Sequence, residues 1–207
     1  RRYPVLYMHD GQNLFDSALA YGGVEWQVDE CMAVLALEGI EAIVVGIDHA
    51  GEGRVTEYNP FCAGKGNAYL DWLFGMLKPG IDEHFRTLPQ REATFLGGSS
   101  MGGLISLHAL FTRPHLLGGA LAMSPSLWVQ RFAILDEARR ADLADVRLYF
   151  DYGTREQSAM PLHKVLRERG IPEGERIRFV REEGAQHTEA AWAGRLPNAL
   201  RFLLAQG

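Results

Sequence analysis

Six short apolar, β-branched runs recur along the chain, and longer segments of helical period lie between them. The runs are "YPVLYM" at 3–8, "AIVVGI" at 42–47, "ATFLGG" at 93–98, "GALAMS" at 119–124, "VRLYFD" at 146–151 and "IRFVRE" at 177–182. Helical period is read near 24–38, 69–86, 101–112, 128–140, 158–169 and 189–205. The runs are continuously apolar rather than alternating, which implies burial on both faces, as in a parallel sheet covered by helices. Strand–helix alternation along the whole length predicts an α/β fold: a doubly wound, mostly parallel sheet with helices on both faces. A length of 207 residues fits one such domain over 1–207. The stretch at about 49–68, "HAGEGRVTEYNPFCAGKGNA", is expected to be irregular, and long loops of this kind are commonly functional.

Ligands of open α/β sheets bind beyond the carboxyl ends of the strands. The residues that follow the runs are therefore the ones to read for chemistry. After the third run comes "GSSMGG", in which the pattern G-x-S-x-G fits one serine: Gly98-Ser99-Ser100-Met101-Gly102. Centred on Ser99 the pattern would need glycine at 101, where methionine stands. The chemistry calls for a sharp strand-to-helix turn that holds a nucleophile clear of its own backbone, with small neighbours that let strand and helix approach. The helix then begins at the serine, so its leading N–H groups face the reaction centre. A glycine-rich turn with serines as caps would look similar. The apolar run before and "GGLISLHALF" after favour Ser100 as nucleophile, with Ser99 in support.

A serine nucleophile of this type needs an acid and a histidine later in the chain, in that order. Of seven histidines, His9, His49 and His84 precede Ser100, while His108 and His115 fall in or just after the following helix. His163 sits inside a helical segment, which leaves His187, in a loop before the last helix, as the base. The acid is Asp151 or Glu156 in "FDYGTREQ", and Glu156 is preferred because a turn past the strand gives it reach. For the oxyanion hole, the backbone N–H of Met101 is one donor, and Gln12 or Gly11 in "HDGQN" the other. Trp128, Arg54, Glu57 and Tyr58 lie just after strands and are candidates to bind substrate, although Trp128 equally suits a core anchor at a helix start. Trp192 has the same ambiguity beside His187, and Trp72 reads as core.

These residues carry a family resemblance. "YPVLYMHDGQNLFD", "EYNPF", "YLDWLFGMLKPGIDEHFRT", "GGSSMGGLISLHALF", "AMSPSLW", "DYGTRE" and "HTEAAWAGRLPNALRFL" resemble the putative-esterase family of α/β-hydrolases. That family joins enterochelin esterase-like proteins with feruloyl and acetylxylan esterase domains, esterase D and mycolyltransferases. The enterochelin esterase-like branch is the nearest. The resemblance implies a serine esterase in which Ser100 matches the nucleophile, Glu156 the acid and His187 the base, with "HDGQN" supplying an oxyanion donor. It also implies a sheet with further strands before "YPVLYMHDGQ". The chain starts at Arg1 and enters a strand almost at once, so a removed start is expected. The exposed sheet edge would then be covered by a preceding segment or by a second copy in a homo-oligomer.

The expected reaction is hydrolysis of a small, aromatic, sugar-linked or siderophore-type ester through an acyl-enzyme, with no metal and no organic cofactor. "HDGQNLFD" spaces oxygen ligands but lacks the glycine-plus-glutamate pattern of a calcium loop. An acyltransferase would use the same three groups, a peptidase is less favoured, and a non-catalytic binding protein is the reading from a different class. A net charge of −5 gives no basic surface for nucleic acid or an anionic membrane. No apolar run approaches the ~20 residues of a membrane span. Cys31 and Cys62 show no metal spacing, and a reduced cytoplasmic setting is the default for such usage.

Overall fold

The computed structural model describes residues 1–171 and 173–205. Its strands are β1 (Val5–His9), β2 (Ile43–Ile47), β3 (Thr94–Ser99), β4 (Gly119–Met123), β5 (Arg147–Gly153) and β6 (Ile177–Glu182). They form one parallel sheet in the order β2-β1-β3-β4-β5-β6, with Val5 opposite both Ile43 and Thr94. The helices are α1 (Val28–Leu37), α2 (Arg54–Tyr58), α3 (Gly66–Trp72), α4 (Lys78–His84), α5 (Met101–Thr112), α6 (Ile134–Arg140), α7 (Met160–Glu168) and α8 (Glu189–Leu204). The predicted α/β architecture is the observed one, and each apolar run falls on a strand.

Side chains alternate across the strands and divide the core in two. Leu6, Met8, Leu121, Met123 and Tyr149 point to the face covered by α1 and α8. Tyr7, Leu96, Ala120, Ala122 and Phe150 point to the opposite face, where they pack with α5, α6 and α7. Every residue of α5 except Thr112 is buried, because this helix lies over the sheet centre. Burial on both faces holds for β1, β3 and β4 but not for the edges. On β2, Ile43 to Val45 are only half-buried and Gly46 is exposed, since nothing pairs with its outer side among the described residues.

Several predicted elements shift for backbone reasons. The first helix starts at Val28 rather than 24, because Gln27 is left-handed (φ 54°) and Trp26 donates its N–H to Asn13 O at 2.8 Å. The helix expected over 128–140 starts at Ile134. Gln130, Arg131 and Phe132 have φ of 49°, 54° and 64°, which no right-handed helix accommodates. The segment expected as one helix over 69–86 starts earlier, at Gly66, and contains a wide π turn at Leu73–Leu77. There the Lys78 N–H reaches back to Leu73 O, just before Pro79, which has no N–H to give. The stretch at 49–68 is less irregular than expected: it holds α2 and the start of α3. Trp72, expected in the core, is 41% exposed on the outer side of α3.

Chain order reverses between β1, which leads out to β2, and β3, which continues the other way. The crevice at their carboxyl ends is where such sheets bind ligands. His9 and Asp10 lie on one side of it, Ser99 and Ser100 on the other.

Candidate active site

At the end of β3 the chain turns into α5 through Ser100, which has φ 56° and ψ −118°. A non-glycine residue in such a conformation stores strain of about 1–3 kcal/mol and persists only where the surroundings enforce it. The enforcement here is close approach. A Cβ on Gly98 would lie 3.1 Å from His9 Cβ and 3.2 Å from the Gly102 backbone, and one on Gly102 would meet His9 Cβ at 3.1 Å. Ser100 N donates to Met123 O on the neighbouring strand at 3.0 Å, and Ser126 N donates to Ser100 O at 3.0 Å. The predicted glycine pattern is thus a packing requirement. Ser99 is buried, whereas Ser100 is half-buried and its Oγ stands 3.3 Å from Ser126 Oγ. The Met101 N–H, at the first position of α5, is one of the leading helix donors that lack a partner within the helix.

The loops after β5 and β6 leave adjacent strand ends, where Gly153 is paired with Glu182. They are stitched together by Thr154 N to Glu182 O at 2.9 Å and Arg155 N to Ala185 O at 3.0 Å. This brings Glu156 to His187: the Nδ1–H of the imidazole donates to Glu156 Oε2 at 2.6 Å. Glu156 Oε1 accepts from the Ser124 hydroxyl at 2.7 Å and from Gly153 N at 2.5 Å. Burial pushes the Glu156 carboxyl up, but the hydrogen bonds from His187, Ser124 and Gly153 outweigh it and hold the group below the ordinary range. The His187 side chain is 42% exposed while that of Glu156 is 3% exposed. The imidazole therefore faces the crevice from an anchored base.

Asp151, the other acid weighed above, is fully buried and occupied elsewhere. It takes a two-bond fork from Arg195 (Nε to Oδ2 2.8 Å, Nη2 to Oδ1 3.1 Å), with Ser124 N at 3.0 Å and the Tyr149 hydroxyl at 3.2 Å. Among the described residues, the ring of His187 bonds to Glu156 alone and Ser100 Oγ meets only Ser126 Oγ. No hydrogen bond joins Ser100 to His187 among the described residues.

The loop after β1 runs through Asp10 into the short helical turn Gly11–Asn13. Asp10, not Gly11, has the left-handed backbone, with φ 59°. Gly11 is required for space, since a Cβ there would lie 2.7 Å from Asp48 Oδ1 and from Ile47 N. The N–H groups of Gly11 and Gln12 open the short helical turn Gly11–Asn13, while the Gln12 side chain accepts from His49 N at 3.3 Å. Arg54, expected to meet substrate, instead grips Asp10, with Nε to Oδ1 2.6 Å and Nη2 to Oδ2 2.8 Å. Tyr58, also expected to meet substrate, is fully buried and its hydroxyl accepts from Asp10 N at 3.2 Å. Glu57 Oε2 accepts from Ala50 N at 3.0 Å and shapes its own loop. Arg54 and Tyr58 thus hold the loop after β1, because α2 folds back over it.

Trp128 is 52% exposed and two residues beyond Ser126, so it is not a core anchor and stays available to a ligand. Trp192 is buried and stands edge-on to His187, with centroids 4.8 Å apart and ring planes at 83°. Sequence reasoning missed Ser124, Ser126, Arg195 and Asp10. Only "SPS" after β4 offered a signal, by placing small hydroxyl residues at a strand end.

A parallel sheet with a strained serine between strand and helix at its switch point, and an acid–histidine pair on the last two strand loops, defines an α/β-hydrolase. The chain belongs to the family described as "Putative esterase", which matches residues 1–203, and is a carboxylic ester hydrolase. It is 25% identical to the protein YbbA of Bacillus subtilis over 97% of this chain and 85% of that protein. It is 30% identical to the siderophore triacetylfusarinine C esterase of Aspergillus fumigatus over 66% of this chain and 48% of that enzyme. The fold is shared with the enterochelin esterase of Shigella flexneri, at a TM-score of 0.74 and 21% identity, over 96% of this chain and 50% of the other.

Proposed function

We propose that the chain hydrolyses a small ester through an acyl-enzyme on Ser100, with His187 as general base and acid and Glu156 orienting it. The observation that carries this reading is the 2.6 Å bond between His187 Nδ1 and Glu156 Oε2, made beside a serine held in strained geometry. His187 takes the Ser100 proton as the hydroxyl attacks the ester carbonyl, then gives it to the leaving alcohol. Water repeats the sequence on the acyl-enzyme. The ionised Glu156 fixes Nδ1 as the protonated nitrogen, which leaves Nε2 free to accept. The N–H groups of Met101 and of Gln12 or Gly11 hold the oxyanion, and losing one such donor costs about 3–4 kcal/mol in related sites.

For the substrate we favour an aromatic or siderophore-type acyl ester. The exposed indole of Trp128 supports stacking, and the likeness to a triacetylfusarinine C esterase supports a siderophore-type ester. Turnover of p-nitrophenyl acetate and butyrate, a feruloyl ester and a siderophore ester by wild type and Ser100→Ala tests both parts. Equal turnover by the two proteins would remove Ser100 from the mechanism. Equal rates on all four esters, in wild type and Trp128→Ala alike, would remove the substrate preference.

A further inference from the structure

The Ser124 hydroxyl, just past the end of β4, meets three partners from two other elements. Trp192 Nε1–H donates to Ser124 Oγ at 2.9 Å and Arg195 Nη2–H donates to it at 2.8 Å, both from α8. Indole and guanidinium N–H groups only donate, so the two lone pairs of the hydroxyl are taken. Its single proton then has one acceptor left, Glu156 Oε1 at 2.7 Å. Ser124 is 3% exposed, so water does not offer that proton an alternative.

The donors that aim Ser124 are themselves fixed. Arg195 is anchored by its fork on Asp151, which also receives the Ser124 backbone N–H and the Tyr149 hydroxyl. Asp151 neutralises a guanidinium whose Nη2 stands 3.8 Å from Glu156 Oε1. Without that counter-charge the guanidinium would draw the Glu156 carboxylate toward itself and away from His187. The indole that fills one lone pair of Ser124 also packs edge-on against His187. Both ends of the Glu156–His187 bond are therefore referred to one helix.

We propose that Ser124, aimed by Trp192 and by the Arg195–Asp151 pair, is a positioning residue for ester hydrolysis. It pins Glu156 Oε1 so that Oε2 is the oxygen presented to His187. The proposal rests on the reading of Glu156 as the orienting acid.

A double-mutant cycle on p-nitrophenyl butyrate tests it, with folding followed by circular dichroism. Ser124→Ala is expected to lower kcat about ten- to hundred-fold, the range for one hydrogen bond to a charged group, with KM changed less than about twofold. In a Glu156→Gln background the same change should lower kcat less than about twofold, because Ser124 acts only through the carboxylate. Wild-type kcat in Ser124→Ala, or the same fold-loss in both backgrounds, overturns the proposal. Should Ser124→Ala not fold, Trp192→Phe keeps the ring against His187 and removes only the N–H. Its expected loss is about three- to ten-fold, again abolished by Glu156→Gln, and an equal loss in both backgrounds overturns the proposal likewise. If Glu156→Gln alone keeps wild-type kcat, the acid assignment itself falls. That arm leaves Ser124 untouched, so the two failures are told apart.

Discussion

Ser100 Oγ and Ser126 Oγ face each other across 3.3 Å, while the neighbouring Ser99 is buried at 3% exposure. Of Ser99, Ser100 and Ser126, the last from the loop after β4, only Ser100 combines access with a strained backbone. A fluorophosphonate probe should form one adduct, on the peptide carrying Ser100, and Ser100→Ala should abolish both adduct and turnover. Peptide mass spectrometry reads the outcome, and an adduct that persists in Ser100→Ala but vanishes in Ser99→Ala would move the nucleophile.

Glu156→Gln should lower kcat about 10³- to 10⁴-fold with little change in melting temperature, as losing the orienting acid does in related triads. Asp151→Asn should act first on stability, since it leaves the buried Arg195 charge unpaired, a loss of about 3–5 kcal/mol. Urea denaturation beside steady-state kinetics separates the two. The reverse ranking at equal stability would transfer the acid role to Asp151.

Arg54→Met leaves Asp10 without its fork. The Arg54 side chain is 23% exposed and that of Asp10 5% exposed, so solvent screens part of the pair. The expected destabilisation is about 2–3 kcal/mol, below the range for a fully buried pair, accompanied by loss of kcat as the Gly11–Gln12 turn loosens. Raised KM with intact kcat and intact stability would instead return Arg54 to substrate binding.

His9 gives the fold an acid-sensitive term. Burial lowers the His9 pKa to about 4, opposed by the nearby Asp10 carboxylate and assisted by Arg54. In the unfolded chain a histidine titrates near 6.5. Between those values the unfolded state binds a proton that the folded state refuses, so stability is full above about pH 6.5 and declines as pH falls toward 4. The total loss is on the order of 3 kcal/mol. His9→Gln, which keeps a partner for the Tyr69 hydroxyl 2.8 Å from His9 Nδ1, should flatten this slope. Denaturation midpoints at pH 7, 6 and 5 measure it, and parallel slopes for the two proteins would contradict the assignment.

The sheet and the elbow were legible because they rest on local pattern. Continuous apolar runs marked every strand, and two glycines around Ser100 encoded a contact with His9 that only small residues permit. The sequence favoured Glu156 over Asp151 as the acid, but gave no hint of the partner that occupies Asp151: Arg195 lies 44 residues beyond it and carries no catalytic signature. The bonds of Arg54 and Tyr58 to Asp10 were hidden for a similar reason. Strand-end position says that a side chain is near the crevice, not that α2 turns it onto Asp10. Trp72 was misread for burial, and Trp128 was left between core and substrate, because an indole marks no particular side of a helix or turn until its neighbours are known.

The strained backbone of Ser100 has a consequence in evolutionary time. Glycine alone adopts φ 56° with ψ −118° freely, so glycine at this position would relieve strain and make the fold more stable than it is. Random substitution in a lineage with no use for the hydroxyl would therefore run downhill, away from serine. On the proposed role of Ser100 as nucleophile, selection for turnover is what would hold serine in place against that slope.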